Sequence, residues 1–88
     1  MRIEFTSHAW EDFGFWLEHD PGKVERIREL IKDIRRNPFS GIGKPEALRH
    51  GMAGYWSRRI DLEHRLVYAV SGQGDQRKVI IIACRYHY

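Results

Sequence analysis

Residues 64–86 read HRLVYAVSGQGDQRKVIIIACRY and contain two apolar runs separated by a polar segment. The first run (64–70) and the second (78–86) each have the length and the β-branched and aromatic content that are typical of a strand. Gly72 and Gly74 mark the segment between them as a short loop. Because strands joined by a short connection pair antiparallel, these two runs are predicted to be antiparallel neighbours.

Further strands are predicted on both sides of this pair. Residues 55–60 (YWSRRI) are joined to the first run by a short turn at 61–63, which again favours antiparallel pairing. Residues 2–6 (RIEFT) alternate between apolar and polar side chains, as a half-buried strand does. The segment 47–50 is a further candidate for a short strand.

Two helices are predicted between the first strand and the polar, glycine-rich loop 39–45. The first covers roughly 8–19 with Thr6 or Ser7 as its N-cap, and one broad apolar stripe is expected to face the core: Ala9, Trp10, Phe13, Trp16 and Leu17. The second begins at Asp20-Pro21 and ends before Asn37-Pro38, with an inner face made of Val24, Ile27, Leu30, Ile31 and Ile34. The short link between them favours an antiparallel helical hairpin.

These elements together predict an α+β fold, with two N-terminal helices packed on one face of a twisted, mainly antiparallel β-sheet. The length of 88 residues fits a single domain, residues 1–88. The apolar runs are too short to span a bilayer, and no secretory signal follows Met1. The single cysteine, Cys84, excludes an intrachain disulfide and is expected to be a reduced core residue of a cytoplasmic protein.

The positive charge of the chain is concentrated in its second half. Residues 1–41 carry seven Lys/Arg and eight Asp/Glu (net −1), whereas residues 42–88 carry eight and four (net +4), which gives +3 in total. Arginine predominates in this excess, and its planar guanidinium suits phosphate groups. A polyanionic partner and a solvated face of mixed charge both fit this distribution. No metal or cofactor is expected, because C-x-x-C and H-E-x-x-H motifs are absent and Gly41-Ile42-Gly43-Lys44 lacks the spacing of a phosphate-binding loop.

Glu46 and a group of arginines are the first candidates for a functional site. Glu46 follows a basic loop that contains Lys44, and an exposed loop glutamate is the alternative interpretation. Side chains alternate along a strand, so Arg58 and Arg59 should face opposite sides, and one of them should share a face with Arg65. Because two like charges side by side are destabilising without an anion, the pair favours an anion site over solubilising surface charge.

The C-terminal tetrapeptide Arg85-Tyr86-His87-Tyr88 continues directly from an apolar strand and is therefore predicted to be docked. Histidine is the side chain best suited to proton transfer near neutral pH, which makes His87 a candidate acid or base. Tyr86 and Tyr88 offer flat faces for stacking on bases. The alternative is an anchored tail without chemistry.

An acid, an arginine and a histidine are the groups that metal-free RNA cleavage needs. A base removes the proton of the 2′-OH, a cation stabilises the charge that grows on the phosphoryl oxygens, and an acid protonates the leaving 5′-oxygen. The acidic loop residue, a sheet arginine and the terminal histidine can fill these roles. DNA has no 2′-OH, so this route would exclude it.

Five blocks of the chain carry a family resemblance: 35–39 (RRNPF), 43–46 (GKPE), 56–60 (WSRRI), 63–68 (EHRLVY) and 83–88 (ACRYHY). In this order, they resemble the Txe/YoeB toxins, which belong to the RelE-like superfamily of type II toxin–antitoxin systems. The resemblance implies an α+β, microbial-ribonuclease-like fold. It also implies translation inhibition by cleavage of mRNA in the ribosomal A site, usually by a toxin homodimer.

The resemblance implies roles for individual residues as well. It makes Glu46 the general base, Arg65 the phosphate-stabilising arginine and His87 the general acid, with Arg59 and Tyr88 as supporting active-site residues. Contacts with RNA or the ribosome would fall on Lys44, Arg49 and Arg58. Tyr86 is an RNA-binding candidate because of its flat aromatic face, independently of the resemblance. The implied partners are mRNA on the 70S ribosome and a cognate antitoxin of the YefM/Axe type, which would wrap the toxin and displace its C-terminal segment.

Two features depart from the family pattern: Ala47 and Arg49 replace the expected proline and lysine, and the loop 72–77 looks longer than usual. A non-catalytic RNA- or ribosome-binding module that blocks the A site is the main alternative function. A related toxin scaffold acting on another target, such as a topoisomerase, is a third, which the set Glu46, Arg65 and His87 disfavours.

Overall fold

A computed structural model of the chain describes residues 1–49, 51–52 and 54–87. In chain order these residues form β1 (Arg2–Phe5), α1 (Ser7–His19), α2 (Pro21–Arg36), β2 (Glu46–Ala47), β3 (Tyr55–Arg59), β4 (Arg65–Ser71) and β5 (Lys78–Ala83), with a 3-10 turn at Gly74–Gln76. The predicted order of strands and helices is confirmed. No helix in this part of the chain is long and apolar enough to cross a membrane.

The strands form one mixed sheet in the order β1-β5-β4-β3-β2. The pairs β2–β3, β3–β4 and β4–β5 are antiparallel, and the edge strand β1 is parallel to β5. The predicted α+β fold with a mainly antiparallel sheet is therefore confirmed. The short strand expected at 47–50 lies at Glu46–Ala47 instead, and its position 50 is outside the described residues.

The strand predicted at 78–86 is three residues too long, because β5 ends at Ala83. Side chains of α1 bind the next residue: the Cys84 amide donates to Asp12 Oδ2 (3.0 Å), and the Cys84 carbonyl accepts from Trp16 Nε1 (2.7 Å). At Cys84, therefore, side chains of α1 take the place of strand partners for the backbone. Cys84 is buried as predicted, and burial together with Asp12 raises the pKa of its thiol to about 12.

Helix α1 begins after Thr6, whose Oγ1 accepts a hydrogen bond from the Ala9 amide (3.1 Å). Its buried face is narrower than the predicted stripe, and the predictions for Trp10 and Leu17 are wrong: these side chains are 61% and 56% exposed. The reason is geometric. Each follows a buried residue, Ala9 or Trp16, and successive residues of a helix lie about 100° apart around its axis.

Helix α2 matches its prediction. Asp20 caps it through a hydrogen bond from the Gly22 amide to Oδ1 (3.1 Å), and Pro21 is its first residue. Ile27, Leu30 and Ile34 are fully buried along one face. They join side chains of β4, β5 and α1 in one core between the helices and the sheet.

The most heavily bonded side chain on the helix-facing side of β3 is Arg58, which is fully buried. Its guanidinium donates to Asp33 Oδ2 (2.6 Å), to the Tyr68 hydroxyl (3.1 Å) and to three backbone carbonyls of the loop after α2: Asn37 (2.7 Å), Ser40 (3.1 Å) and Ile42 (3.0 Å). The prediction that Arg58 contacts RNA or the ribosome is therefore wrong, because all these donors point inward and are already bonded. Arg58 holds the loop on the sheet instead.

Candidate active site

A cleft of about 230 Å³ lies on the opposite side of β3 from Arg58. It is lined by residues from four separate parts of the chain: Lys44, Glu46, Leu48, Ser57, Arg59, Arg65 and His87. Five of these were singled out from the sequence, namely Lys44, Glu46, Arg59, Arg65 and His87. The structure thus brings together residues that are up to 43 positions apart, from Lys44 to His87.

Sheet register sets the positions of the acid and the two arginines. Glu46 is the first residue of β2 and lies opposite Ser57 on β3. Two residues further along the same face, Arg59 lies directly opposite Arg65 on β4. The sequence prediction that one of the neighbouring arginines shares a face with Arg65 is confirmed, and that arginine is Arg59.

The backbone of Arg59 is fixed from both sides. Its amide donates to the Gly43 carbonyl (2.7 Å), and its carbonyl accepts from Arg26 Nη2 on α2 (3.2 Å). Gly43 has φ +79°, and a Cβ at this position would lie 2.7 Å from Leu30 Cδ2, so the close approach of the loop requires glycine. Lys44 follows in the left-handed region (φ +51°) and projects into the cleft.

The guanidinium of Arg65 rests on the turn between β3 and β4. Its Nη1 donates to the carbonyl of Asp61 (2.9 Å) and lies 3.2 Å from that of His64. The turn is closed by the Asp61 carboxylate, which accepts from the amides of Glu63 (2.7 Å) and His64 (2.6 Å) and from Lys23 Nζ (2.7 Å). Burial alone would raise the pKa of Asp61, but the Lys23 and amide bonds outweigh it and lower the pKa to about 2. These bonds hold the turn in one conformation, and the turn holds the guanidinium of Arg65 in place.

The C-terminal segment brings His87 to the same cleft. After β5 the chain passes over the start of β4, where the Arg65 amide donates to the Tyr86 carbonyl (2.8 Å) and the Tyr86 amide donates to His64 Nδ1 (2.7 Å). The described part of the tail, up to His87, is thus docked as predicted. Tyr88, which the resemblance makes a supporting active-site residue, lies outside the described residues.

Three predicted residues do not line the cleft. Arg49 is exposed next to β2, Tyr86 is 57% exposed and packs near Arg85 and His64, and Arg58 is buried behind the sheet. Sequence reasoning did not single out Leu48, Ser57 or the anchoring residues Asp33 and His64. Ser57 could have been found from the period of two that places it on the face of Arg59.

The cleft combines cationic donors with one carboxylate and one imidazole. Lys44, Arg59 and Arg65 suit a phosphate, and the side-by-side arginines repel each other when no anion lies between them. Glu46 and His87 can accept and donate protons. Within the ranges that the structure covers, no three His, Cys, Asp or Glu side chains lie close enough to form a metal-ligand set.

Comparison with known proteins gives the family of this chain. The family model described as "YoeB-like toxin of bacterial type II toxin-antitoxin system" matches residues 5–88. Toxin YoeB of Escherichia coli (strain K12) is 51% identical over 88 residues, which is 100% of both chains.

Solved structures agree in fold and sequence. A YoeB/ParE toxin from Agrobacterium tumefaciens is 50% identical with a TM-score of 0.95, and the match covers 100% of both chains. From Staphylococcus aureus, a YoeB dimer (44%, TM-score 0.88) and a heterotetrameric YoeB-YefM toxin-antitoxin complex (45%, TM-score 0.87) are each matched over 100% of this chain and 98% of theirs. The resemblance noted in the sequence is confirmed, and the chain belongs to the YoeB family of toxins of bacterial type II toxin–antitoxin systems.

Proposed function

We propose that this toxin is an endoribonuclease that cleaves mRNA in the A site of the 70S ribosome, without a metal ion, and so inhibits translation. The observation that carries the proposal is the convergence of Glu46, Arg59, Arg65 and His87 on one small cleft. A carboxylate, a pair of guanidinium groups and an imidazole around a space of this size match the three tasks of cleavage by the 2′-OH.

In the proposed reaction, Glu46 accepts the proton of the 2′-OH, and the resulting oxygen attacks the adjacent phosphorus. Arg65, with Arg59 beside it, stabilises the negative charge on the non-bridging oxygens. Protonated His87 donates its proton to the departing 5′-oxygen, which leaves a 2′,3′-cyclic phosphate and a free 5′-hydroxyl. Glu46 ends protonated and His87 neutral, so a proton transfer through solvent restores the enzyme. Each acid–base group is expected to contribute about 10²–10⁴-fold in rate.

The remaining predicted contacts surround this set. We assign Lys44, at the cleft, and the exposed Arg49 to phosphates flanking the scissile one. Tyr86 is half-exposed and directly precedes His87 of the cleft, and we assign it to stacking on a base. Tyr88 is assigned to the support of His87. Arg58 has no place in RNA binding because its donors are used inside the fold.

The proposal extends to partners and location. The YoeB-YefM complex and the YoeB dimer of Staphylococcus aureus support a YefM-like antitoxin and a homodimer for this chain. We propose that the antitoxin wraps the toxin and displaces the C-terminal segment, which would remove His87 from the cleft. The toxin is proposed to act as one domain, residues 1–88, in the cytoplasm, where its substrate is found.

The test uses purified toxin and 70S ribosomes programmed with a defined mRNA, with primer extension as the readout. Discrete new RNA ends in the A-site codon are expected, and Glu46→Gln, Arg65→Met and His87→Ala should each lower the cleavage rate about 10²-fold or more. Arg28→Met is the matched control, because Arg28 is an exposed arginine of α2 that pairs with Glu25. It should cleave like the unchanged toxin.

Three outcomes would contradict the proposal. A ribosome stall without new RNA ends would favour the alternative, a non-catalytic module that blocks the A site. Cleavage of an mRNA with a single 2′-deoxy nucleotide at the scissile position would exclude attack by the 2′-OH. Undiminished cleavage by Arg65→Met and His87→Ala would refute the assigned site.

A further inference from the structure

Tyr86 makes an unusual turn immediately before the proposed general acid. Its φ of +66° lies in the left-handed region, which is unfavourable for a residue with a bulky side chain. The turn persists because both backbone polar groups of Tyr86 are bonded to the start of β4: the carbonyl to the Arg65 amide and the amide to His64 Nδ1. The direction in which the chain enters the cleft at His87 is therefore set by these two bonds.

The His64 ring has little freedom to move. Its side chain is only 12% exposed, and the ring stands edge-on to Trp16, with 4.8 Å between centroids and an angle of 84°. Trp16 is itself held by its bond to the Cys84 carbonyl, and the amide of His64 is bound by Asp61. A ring packed in this way offers its Nδ1 at one fixed position.

The bond from Tyr86 also selects the tautomer of the neutral ring. A nitrogen that accepts a hydrogen bond carries no proton, so neutral His64 must hold its proton on Nε2. That nitrogen lies 3.7 Å from the Glu63 carboxylate, which favours the same tautomer. His64, the residue before β4, is thus the acceptor for the tail, and the amide of Arg65, the first residue of β4, is the donor beside it.

We propose that His64 is a positioning residue of this toxin. By accepting the Tyr86 hydrogen bond, it fixes the place of the His87 imidazole relative to Glu46 and Arg65. The inference rests on the proposed function, in which His87 is the general acid. Since a misplacement of about 1 Å can cost about 10²-fold in rate, loss of the acceptor should reduce the chemical step and leave substrate binding nearly unchanged.

Three variants test this on programmed ribosomes. His64→Phe keeps a ring against Trp16 but has no acceptor, and it should lower kcat about 10- to 100-fold with KM changed less than about twofold. His64→Asn places a carbonyl oxygen near the position of Nδ1 and should recover about a tenth or more of the lost rate. In a His87→Ala background, His64→Phe should cause no further loss, because it acts only through His87.

An equal loss from His64→Phe with and without His87 would overturn the proposal, and so would full activity of His64→Phe. If His87→Ala itself cleaves normally, the proposed function fails instead, so the two failures are distinguishable. A measurement on the unmodified toxin does not depend on activity or on folding of a variant. NMR should detect scalar coupling across the hydrogen bond between the Tyr86 amide nitrogen and His64 Nδ1, and a protonated Nδ1 without this coupling would also overturn the proposal.

Discussion

Two neighbouring arginines of β3 should respond in opposite ways to the same substitution. Arg58 is buried against Asp33, Tyr68 and the loop after α2, whereas Arg59 lines the cleft opposite Arg65. We expect Arg58→Met to destabilise the fold and Arg59→Met to impair cleavage with little effect on stability. Methionine keeps most of the aliphatic length, so the comparison isolates the guanidinium.

The magnitude for Arg58 follows from its bonds. Removing one partner of a buried ion pair costs about 3–5 kcal/mol, because the other partner loses its compensation. Asp33 still accepts from the Ile42 amide (3.0 Å) and from Arg36 (3.0 Å), and its side chain is 15% exposed, so we expect the lower end, about 3 kcal/mol. For a domain of this size that lowers the melting temperature by about 12–24 °C.

The change in the free energy of unfolding is smaller for Arg59→Met than for Arg58→Met, and it can have the opposite sign. Substitution away from core or buried polar groups usually changes stability by within about 0.5 kcal/mol. Relief of repulsion from the directly opposite Arg65 can offset this by about 0.2–1 kcal/mol. Cleavage should fall about 10²-fold, as when one transition-state donor is removed.

The assay is urea unfolding followed by tryptophan fluorescence, together with primer extension at a temperature where both variants are folded. The unfolding midpoint should fall sharply for Arg58→Met and stay close to the original for Arg59→Met. The reasoning would be refuted if Arg58→Met lost less than about 1 kcal/mol while its cleavage fell like that of Arg59→Met. That result would place Arg58 in contact with RNA.

Three further predictions concern acid stability, the helix faces and the chain end. The hydrogen bond from Arg58 lowers the pKa of Asp33 from the ordinary 3.8 to about 2, and the pKa of Asp61 is also lowered to about 2. Both carboxylates therefore stabilise the fold above pH 4, and this stability should be lost as pH falls from about 4 towards 2. Asparagine at either position should flatten the urea midpoint against pH in that window, and an unchanged slope would contradict the assignment. Leu17→Gln should change the free energy of unfolding by less than about 0.5 kcal/mol, whereas Leu30→Ala should lower it by about 2–5 kcal/mol. Equal effects of the two substitutions would mean that Leu17 is a core residue after all. A short polar tag after Tyr88 should impair cleavage without lowering the melting temperature, because His87 lies in the cleft, and the same tag before Met1 is the control.

The parts of the fold that the sequence predicts well are those where one local signal is sufficient. Helix α2 has a capping aspartate, a proline at its first position and a clear apolar face, and it spans the expected residues. The alternation of β3 predicts that Arg58 and Arg59 face opposite sides. Glu46, Arg65 and His87 lie on one cleft, as the family resemblance leads one to expect, and their individual roles stay predictions.

The parts that could not be predicted depend on contacts between distant segments. Alternation separates the two arginines but does not say which faces the core, because that depends on Asp33 and on loop carbonyls 16 to 25 residues away in sequence. The early end of β5 depends on Asp12 and Trp16 of α1, more than 65 residues earlier. An isolated histidine such as His64 gives no local sign that a tail amide binds it.

The pairing of β3 with β4 connects the stability of this toxin with its proposed chemistry. A slip of one residue along β3 would move every side chain to the other face. Arg59 would then be placed behind the sheet and Arg58 in the cleft, and both the ion pair with Asp33 and the position opposite Arg65 would be lost. The five hydrogen bonds of Arg58 require the observed register. The buried Arg58 therefore determines that Arg59, and not Arg58, lies in the cleft. For this reason a change at Arg58 that the fold survives should lower cleavage only by shifting this register or the loop that leads to Lys44 and Glu46. An Arg58 variant that keeps both should cleave normally once it is folded.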